Sequence, residues 1–251
     1  MQVIHDKVTA PRQAPRVSRP RLLRMLGEGL HSCTSTIITG RAGTGKTMLA
    51  KDFARSCGRR AAWYTVEASD GELPIFFRYL VEGIGRQRPG FGRAVLSHFA
   101  GPPGFDDDIP SLAEAFLYEL QECRGEPLLM VVDNLHLIYD AEWVVPFFRR
   151  LLPLLPPEVH MLIVGRGLPP TPMWRMRSKQ TLCLVEEGAL SFTPQEAADL
   201  FASYGLEGRD AHAALEQTQG RAAELDRLAR RMSGGASGHL RSLVETGWPP
   251  C

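Results

Sequence analysis

The octapeptide Gly40-Arg41-Ala42-Gly43-Thr44-Gly45-Lys46-Thr47 is the feature that most restricts how this chain can fold. It matches the pattern G-x-x-x-x-G-K-[ST], in which glycines let successive backbone N–H groups converge on a phosphate without a clash from Cβ. A β-rich run over 36–39 precedes it, and a helix is predicted from Lys46 to Cys57, so that the helix N-terminus points at the same anion. We therefore predict that Lys46 contacts the β- and γ-phosphates of a nucleotide and that the Thr47 hydroxyl ligates Mg²⁺.

Strand and helix patterns alternate along most of the chain, which predicts a parallel sheet with right-handed crossovers. Further strands are predicted at Ala61–Val66, Leu128–Val132, Met161–Gly165 and Thr181–Val185. The predicted fold class is α/β, a P-loop domain with its parallel sheet sandwiched by helices and a run of short helices after it. The predicted divisions are a flexible N-terminal arm (1–16), the P-loop domain (17–187), a helical region (188–232) and a linker or tail (233–251). The segment Thr193-Pro194-Gln195-Glu196 predicts a helix start in that helical region, with Thr193 as the cap and Glu196 closing a capping box.

Composition excludes several classes of protein. The chain has 251 residues, of which 44% are hydrophobic and 23% charged, enough for one large folded domain with a small appendage. A net charge of +1 gives no strong bulk attraction to nucleic acid or to an anionic membrane. The apolar runs are shorter than the roughly 20 residues that a membrane span needs, and the N-terminus lacks a signal-peptide pattern. We expect a cytoplasmic protein that does not bind membranes.

Asp133 follows the apolar run 128–132 directly and is placed where a buried strand should end. A carboxylate at that point can hold Mg²⁺ through water, which makes Asp133 the second predicted metal residue beside Thr47. The next residue is Asn134, where many ATPases of this layout have an acid that polarises the attacking water. An amide can orient water but is a poor general base, so the sequence predicts slow hydrolysis and favours a switch over a motor.

Arg166 follows the predicted strand 161–165 at its carboxyl end, the edge where ligands bind in such sheets. It is the candidate sensor of the γ-phosphate, although a surface arginine at a strand end is the alternative. A separate G-x-G-x-x-G is absent, so a dinucleotide fold has no support. The guanine-reading pattern Asn-Lys-x-Asp is absent as well, which disfavours GTP.

At the level of whole motifs the chain resembles the MalT-like regulators, LuxR-family transcriptional activators of the STAND class of signal-transduction ATPases. The resemblance runs from about Val17 to Arg231. It is carried by these segments in order: Val17-Ser18-Arg19-Pro20-Arg21-Leu22-Leu23, the phosphate loop, Ala62-Trp63-Tyr64 with Asp70 and Phe76-Phe77, Val132-Asp133-Asn134-Leu135-His136-Leu137-Ile138, Leu162-Ile163-Val164-Gly165-Arg166, and Ser191-Phe192-Thr193-Pro194-Gln195-Glu196-Ala197.

The resemblance implies a P-loop NTPase core of ASCE or AAA-like type, followed by a small helical lid domain (188–232). It further implies Mg²⁺ and ATP or ADP as cofactors, and nucleotide-dependent self-association or a protein partner. It also implies that the segment before the first helix lies against the adenine. The predicted nucleotide-binding residues are therefore Val17, Arg19, Gly40, Arg41, Ala42, Gly43, Thr44, Gly45, Lys46, Thr47 and Met48, and the predicted catalytic residues are Lys46, Asp133, Asn134 and Arg166.

The sequence departs from the family pattern at several points, which limits the family properties that can be expected of this chain. Members often have two acids where this chain has Asp133-Asn134, and STAND proteins typically carry Gly-x-Pro in the lid where Gly220-Arg221-Ala222 stands here. The family's sensor repeats and DNA-binding helices have no counterpart in this sequence, so DNA binding is not predicted for it.

Three hypotheses follow from the sequence. The preferred one is an ATP-binding switch module that hydrolyses ATP slowly and regulates assembly or transcription. The first alternative is an interaction module that binds nucleotide without physiological turnover, which Asn134 keeps open. The second is a small-molecule kinase on the same core, for which Arg175 and Arg177 are possible substrate contacts without a recognisable pattern.

Overall fold

A computed structural model describes residues 4–97, 99, 108–179 and 181–245 of the chain. Five strands form one sheet in the order β2-β3-β4-β1-β5, and every neighbouring pair is parallel. The strands are β1 (Ser35–Thr39), β2 (Arg60–Thr65), β3 (Leu128–Asp133), β4 (Val159–Gly165) and β5 (Leu182–Val185). The helices are α1 (Pro20–Ser32), α2 (Lys46–Ser56), α3 (Leu73–Gly85), α4 (Arg93–Ser97), α5 (Ile109–Glu122), α6 (Val144–Leu151), α7 (Thr171–Trp174), α8 (Glu187–Leu190), α9 (Pro194–Ala202), α10 (Gly208–Thr218) and α11 (Ala222–Glu245).

The central strands are buried on both faces. Every residue of β1, β3 and β4 is buried, which explains why these segments read as continuous apolar runs rather than as alternating patterns. Successive side chains of β3 enter two separate cores, Met130 on one face of the sheet and Val131 on the other. This helix-covered parallel sheet confirms the predicted α/β P-loop NTPase fold, and β4 lies between β1 and β3.

Parallel strands end at the same edge of a sheet, and here three of those ends bring the predicted site together. Thr39 of β1 pairs with Gly165 of β4, and Val164 pairs with Asp133 of β3. The phosphate loop, Asp133 and Arg166 therefore follow neighbouring strands at the carboxyl edge, where open α/β sheets bind ligands.

Helices α9 to α11 form a helical subdomain with its own apolar core. That core consists of Ala197, Leu200, Phe201, Ala211, Ala214, Leu225 and Ala229. The predicted helix start at Thr193 is confirmed, because its hydroxyl accepts from the Glu196 N–H and the Glu196 carboxylate accepts from the Thr193 N–H.

The predicted linker or tail (233–251) was wrong for residues 233–245, since α11 continues through them to Glu245. Glycine in a helix interior costs about 1 kcal/mol relative to alanine but keeps its N–H donor, so the glycines there weaken the helix without ending it. Residues 246–251 of the predicted tail lie outside the described part. Among the described helices, α11 included, none combines the length and the hydropathy that crossing a bilayer requires.

The predicted free arm was also wrong for residues 4–16, which pack onto the α/β domain; residues 1–3 lie outside the described part. Lys7 is buried, and its ammonium group lies 2.7 Å from Asp70 Oδ1 and 2.8 Å from Glu67 Oε2. The Tyr64 hydroxyl donates to the other Asp70 oxygen at 3.0 Å. Burial opposes the charge on Lys7, but its bonds to Asp70 and Glu67 outweigh that effect and raise its pKa above the ordinary value.

Replacing Lys7 by methionine should destabilise the fold, because the Asp70 carboxylate would remain buried without its cation. We expect the free energy of unfolding to fall by about 3 kcal/mol, which is the lower end of the range for removing one partner of a buried ion pair. Urea denaturation of the full chain measures this, with exposed Arg12→Met on the same segment as the control. Equal stability of the two variants would show that the segment is held by other contacts.

Candidate functional site

The phosphate loop, Gly40–Thr47, adopts the backbone that its glycines predict. Gly43 and Gly45 have φ angles of 80° and 86°, in the left-handed region that disfavours residues with a Cβ. Helix α2 begins at Lys46, directly after Gly45, so its first backbone N–H groups face the loop. The buried Thr44 stabilises the turn by donating its hydroxyl to the Arg41 carbonyl at 3.0 Å. The loop is therefore a preformed concave arrangement of N–H donors suited to an anion.

Lys46 is buried in this loop and donates its ammonium hydrogens to the carbonyl oxygens of Gly40 at 2.5 Å and Arg41 at 2.7 Å. Burial lowers its pKa below the ordinary value, and the positive charge of Arg166 lowers it further. Asp133 and Glu187 oppose this shift without cancelling it. An added anion would stabilise the charged form of Lys46, which is the electrostatic character expected of a phosphate site.

Thr47 and Asp133 meet across the edge of the sheet. The Thr47 hydroxyl donates to Asp133 Oδ2 at 2.9 Å, and the Asn134 backbone N–H donates to Oδ1 at 2.9 Å. Burial raises the pKa of Asp133, whereas the hydrogen bonds from Thr47 and Asn134 and the charge of Lys46 oppose that rise. Asn134 itself has a left-handed backbone with φ of 61°, a conformation that asparagine tolerates better than most residues.

A hydroxyl beside a carboxylate is a donor set that fits Mg²⁺, which prefers oxygen ligands and usually retains water and substrate phosphates. Among the described residues, no group of three or more His, Cys, Asp or Glu side chains could form an all-protein metal cage. The residues present therefore fit a magnesium ion that takes most of its ligands from outside the protein.

Two further groups lie at this edge. Arg166 is exposed and forms part of the wall of the cavity that contains Lys46. His136 packs beside Gly165, and its Nδ1 atom is buried without a hydrogen-bond partner among the described residues. Burial lowers the pKa of His136, and the charges of Arg166 and Lys46 lower it further. Two cations, Arg166 and Lys46, therefore act on His136 at this edge.

The loop opens into a cavity of about 390 Å³, a size typical of small-molecule sites. Of the predicted binding residues, Val17, Arg19, Met48 and five residues of the loop line it, the five being Ala42, Gly43, Gly45, Lys46 and Thr47. The predicted binding residues Gly40, Arg41 and Thr44 do not line this cavity, and Gly40 and Arg41 line a second one instead. The other walls come from the N-terminal segment, α2, the strand ends and the helical subdomain. They comprise Gln13, Ala14, Pro15, Arg16, Leu49, Asp52, Asn134, Arg166, Phe192, Leu200, Ala222, Ala223 and Asp226.

Arg19 has a contact that the sequence did not predict. Its buried guanidinium donates to Glu196 Oε2 at 3.0 Å and to the Ser191 carbonyl at 3.0 Å, and it lies over the Phe192 ring at 4.3 Å. Arg21 adds a hydrogen bond to the Ala189 carbonyl at 3.0 Å. Arg19 is thus both part of the cavity wall and the connection between the start of α1 and the helical subdomain. The signal for its partner was already present, because Glu196 belongs to the predicted capping box.

The phosphate loop also contacts the helical subdomain directly. The Ala223 N–H donates to the Gly43 carbonyl at 2.9 Å, and the Arg221 guanidinium donates to the Ala42 carbonyl at 2.8 Å. Arg41 of the loop also pairs with Glu187, at the start of α8, at 2.6 Å. The segment 220–222 therefore contacts the phosphate loop, although it lacks the proline that the family pattern has there.

Comparisons with known proteins agree with this geometry. Residues 19–164, more than half of the chain, match the family described as AAA ATPase domain. The HTH-type transcriptional regulator MalT of Yersinia enterocolitica (serotype O:8 / biotype 1B) is 29% identical over 231 residues, which confirms the resemblance to MalT-like regulators. That match covers 90% of this chain but 25% of MalT, so the chain spans about a quarter of its relative.

Two solved structures share the fold. The Orc1 protein of Aeropyrum pernix, solved in complex with DNA, superposes with a TM-score of 0.55 at 18% identity, over 91% of this chain and 63% of that one. A Walker-type ATPase of Pyrococcus abyssi superposes with a TM-score of 0.54 at 12% identity, over 95% of this chain and 78% of that one.

Gly43→Ala should weaken phosphate binding for two reasons, the strain of a left-handed backbone and the contact of the new Cβ with the helical subdomain. A Cβ at Gly43 would lie 3.0 Å from the Cβ of Ala223, whereas a Cβ at Gly58, which also has positive φ, would meet nothing within 4 Å. Both variants should lose about 1–2 kcal/mol of stability from left-handed strain. Only Gly43→Ala should also reduce affinity for ADP, measured by calorimetry. Equal affinities of the two variants would contradict the packing of α11 on the loop.

Proposed function

The chain belongs to the AAA ATPase domain family, and we propose that it is an ATP-binding switch that binds Mg²⁺ with ATP or ADP and hydrolyses ATP slowly. The nucleotide is proposed to lie in the cavity between the sheet edge and the helical subdomain. In this proposal the helical subdomain acts as the lid, and exchange between ADP and ATP controls assembly with a second copy or with a protein partner that regulates transcription.

The observation that carries the proposal is that three chemical features lie together at one edge of the sheet. The buried ammonium of Lys46 supplies a cation for phosphates, and the Thr47 hydroxyl lies 2.9 Å from the Asp133 carboxylate. The loop glycines supply N–H donors for the same anion. No single one of these is specific, but together they are what a Mg²⁺-nucleotide requires.

Each side chain has a distinct proposed role in turnover. Lys46 would bind the β- and γ-phosphates, and Thr47 and Asp133 would hold Mg²⁺, which supplies charge neutralisation on the phosphates when bound. Asn134 would orient the attacking water without accepting its proton, because an amide is a poor base. Slow hydrolysis would leave the ATP-bound form long-lived, as a switch needs.

The switch role is supported by the contacts between the loop and the helical subdomain. Gly43 bonds Ala223, and Arg19 bonds Glu196, so nucleotide in the cavity would touch groups that also hold the helices. Arg166 is proposed to contact the γ-phosphate, which ATP has and ADP lacks. A ligand that interacts differently with two arrangements of the helices can shift their populations by the difference in its affinities.

Lys46→Met should abolish tight binding of both ATP and ADP, because it removes the buried cation beside the phosphates. We expect a loss of about 2–5 kcal/mol in binding free energy, the range for truncating one partner of a buried charge pair. Calorimetry with each nucleotide measures it. Arg166→Met removes an exposed cation of the same cavity and should weaken ATP binding more than ADP binding. Unchanged affinity of Lys46→Met would refute the site.

Asn134→Asp should raise ATP turnover if the missing acid limits the rate. General-base catalysis contributes about 10²-fold or more, which sets the expected gain in steady-state phosphate release. Asn134→Gly is the control, since glycine also accepts the left-handed backbone but supplies no base. Faster release by both variants would point to loop mobility. Binding without any turnover in all three proteins would favour the interaction module.

A further inference from the structure

We propose that Lys51 is a positioning residue: it holds residues 11–17 against α2 and so builds the wall of the cavity that faces the nucleoside. This inference rests on the proposed nucleotide site and adds a residue that lies outside the phosphate-loop motif. If the inference holds, loss of the Lys51 cation should lower the affinity for the nucleoside part of the ligand and leave phosphate binding unchanged.

The first evidence is the environment of Lys51. Its side chain leaves α2 and donates to the backbone carbonyls of Pro11 and of Gln13, the latter at 2.6 Å. Lys51 is 7% exposed, and among the described residues no carboxylate forms an ion pair with it. Burial lowers the pKa of Lys51, and nearby Arg55 lowers it further. Its cation is therefore balanced by the two carbonyl dipoles of the N-terminal segment.

The second evidence is that α2 holds the segment at two adjacent positions. Beside the bonds from Lys51, Asp52 Oδ2 accepts from the Ser18 hydroxyl at 2.6 Å. Residues 14–17 lie between these two attachments in sequence, and all of them line the cavity, as Gln13 does. The segment is thus fixed at both ends to the helix that begins at the phosphate loop.

The third evidence is where these attachments lie along the helix. Lys51 is five residues beyond Lys46, which at about 1.5 Å per residue is roughly 7–8 Å along the axis of α2. A wall at that distance from the phosphate loop is placed to meet the nucleoside rather than the phosphates. On its other side the segment meets the helical subdomain, since Arg16 lies over the Tyr204 ring at 4.1 Å.

The anchor at Lys7 does not substitute for Lys51. Lys7 bonds Asp70 and Glu67, which lie after β2 and do not line the cavity. Loss of the Lys51 bonds would therefore loosen residues 11–17 at one end, while Lys7 still held the start of the segment and Asp52 still held Ser18. The expected consequence is a local change at the cavity with the fold retained.

The test compares two ligands on the full chain by calorimetry, Mg·ADP and inorganic tripolyphosphate. Tripolyphosphate has the phosphates but no nucleoside. Lys51→Met should weaken Mg·ADP by about tenfold or more, the factor that corresponds to ~1.4 kcal/mol, and change tripolyphosphate by less than about twofold. Lys51→Arg, which restores a cation with several N–H donors, should recover part of the loss.

Arg55→Met is the matched control, because Arg55 is an exposed cation one turn further along α2. It should bind both ligands as the wild type does. If Lys51→Met binds Mg·ADP normally, or loses both ligands equally, the inference is overturned while the nucleotide site stands. If the wild type binds neither ligand, the proposed function fails and the inference fails with it.

A second variant covers the case in which Lys51→Met does not fold. Ala14 is exposed and lines the cavity, so Ala14→Trp adds bulk to the same wall without burying a new group in a core. It should weaken Mg·ADP and leave tripolyphosphate binding intact. Unchanged Mg·ADP affinity in this variant would show that residues 11–17 do not face the nucleoside.

Discussion

Backbone pairing of β4 with β1 on one side and with β3 on the other fixes the position of the phosphate loop relative to Asp133. Because Thr39 pairs with Gly165 and Val164 with Asp133, the phosphate loop and the strand-end carboxylate start from adjacent points of one rigid edge. The 2.9 Å bond between Thr47 and Asp133 is possible only in this register. A shift by one residue would turn Asp133 to the opposite face of the sheet and remove it from the loop.

The sequence predicted the parts of the fold that depend on local pattern. The strand before the loop, the helix after it and the capping box at Thr193 all follow from periodicity and from side chains that bond their own neighbours. It did not predict the attachment of residues 4–16, because Lys7 meets a carboxylate 63 positions away and Lys51 meets a carbonyl 40 positions away. A polar segment without periodicity looks unattached until its long-range partners are known.

The sequence likewise predicted the parts of the candidate site that depend on local pattern and missed the contacts that depend on long-range packing. Motif spacing predicted the phosphate loop, Asp133 and the location of Arg166, because the chemistry of phosphates fixes those positions in the sequence. It could not predict that Arg19 would bond Glu196, or that Ala222 and Ala223 would pack on the loop glycines. Those contacts depend on how the helical subdomain lies on the sheet, and no local pattern encodes that.

The two hydrogen bonds from the helical subdomain to the Ala42 and Gly43 carbonyls have a consequence for the orientation of the loop. A trans peptide is planar, so a carbonyl that points toward α11 turns the N–H of the following residue to the opposite side. The peptide planes at 42–43 and 43–44 are therefore set by the helices, and the N–H groups of Gly43 and Thr44 face away from them. Movement of α11 would rotate those two dipoles, so the direction in which the loop offers its N–H groups depends on a helix nearly 180 residues further along the chain.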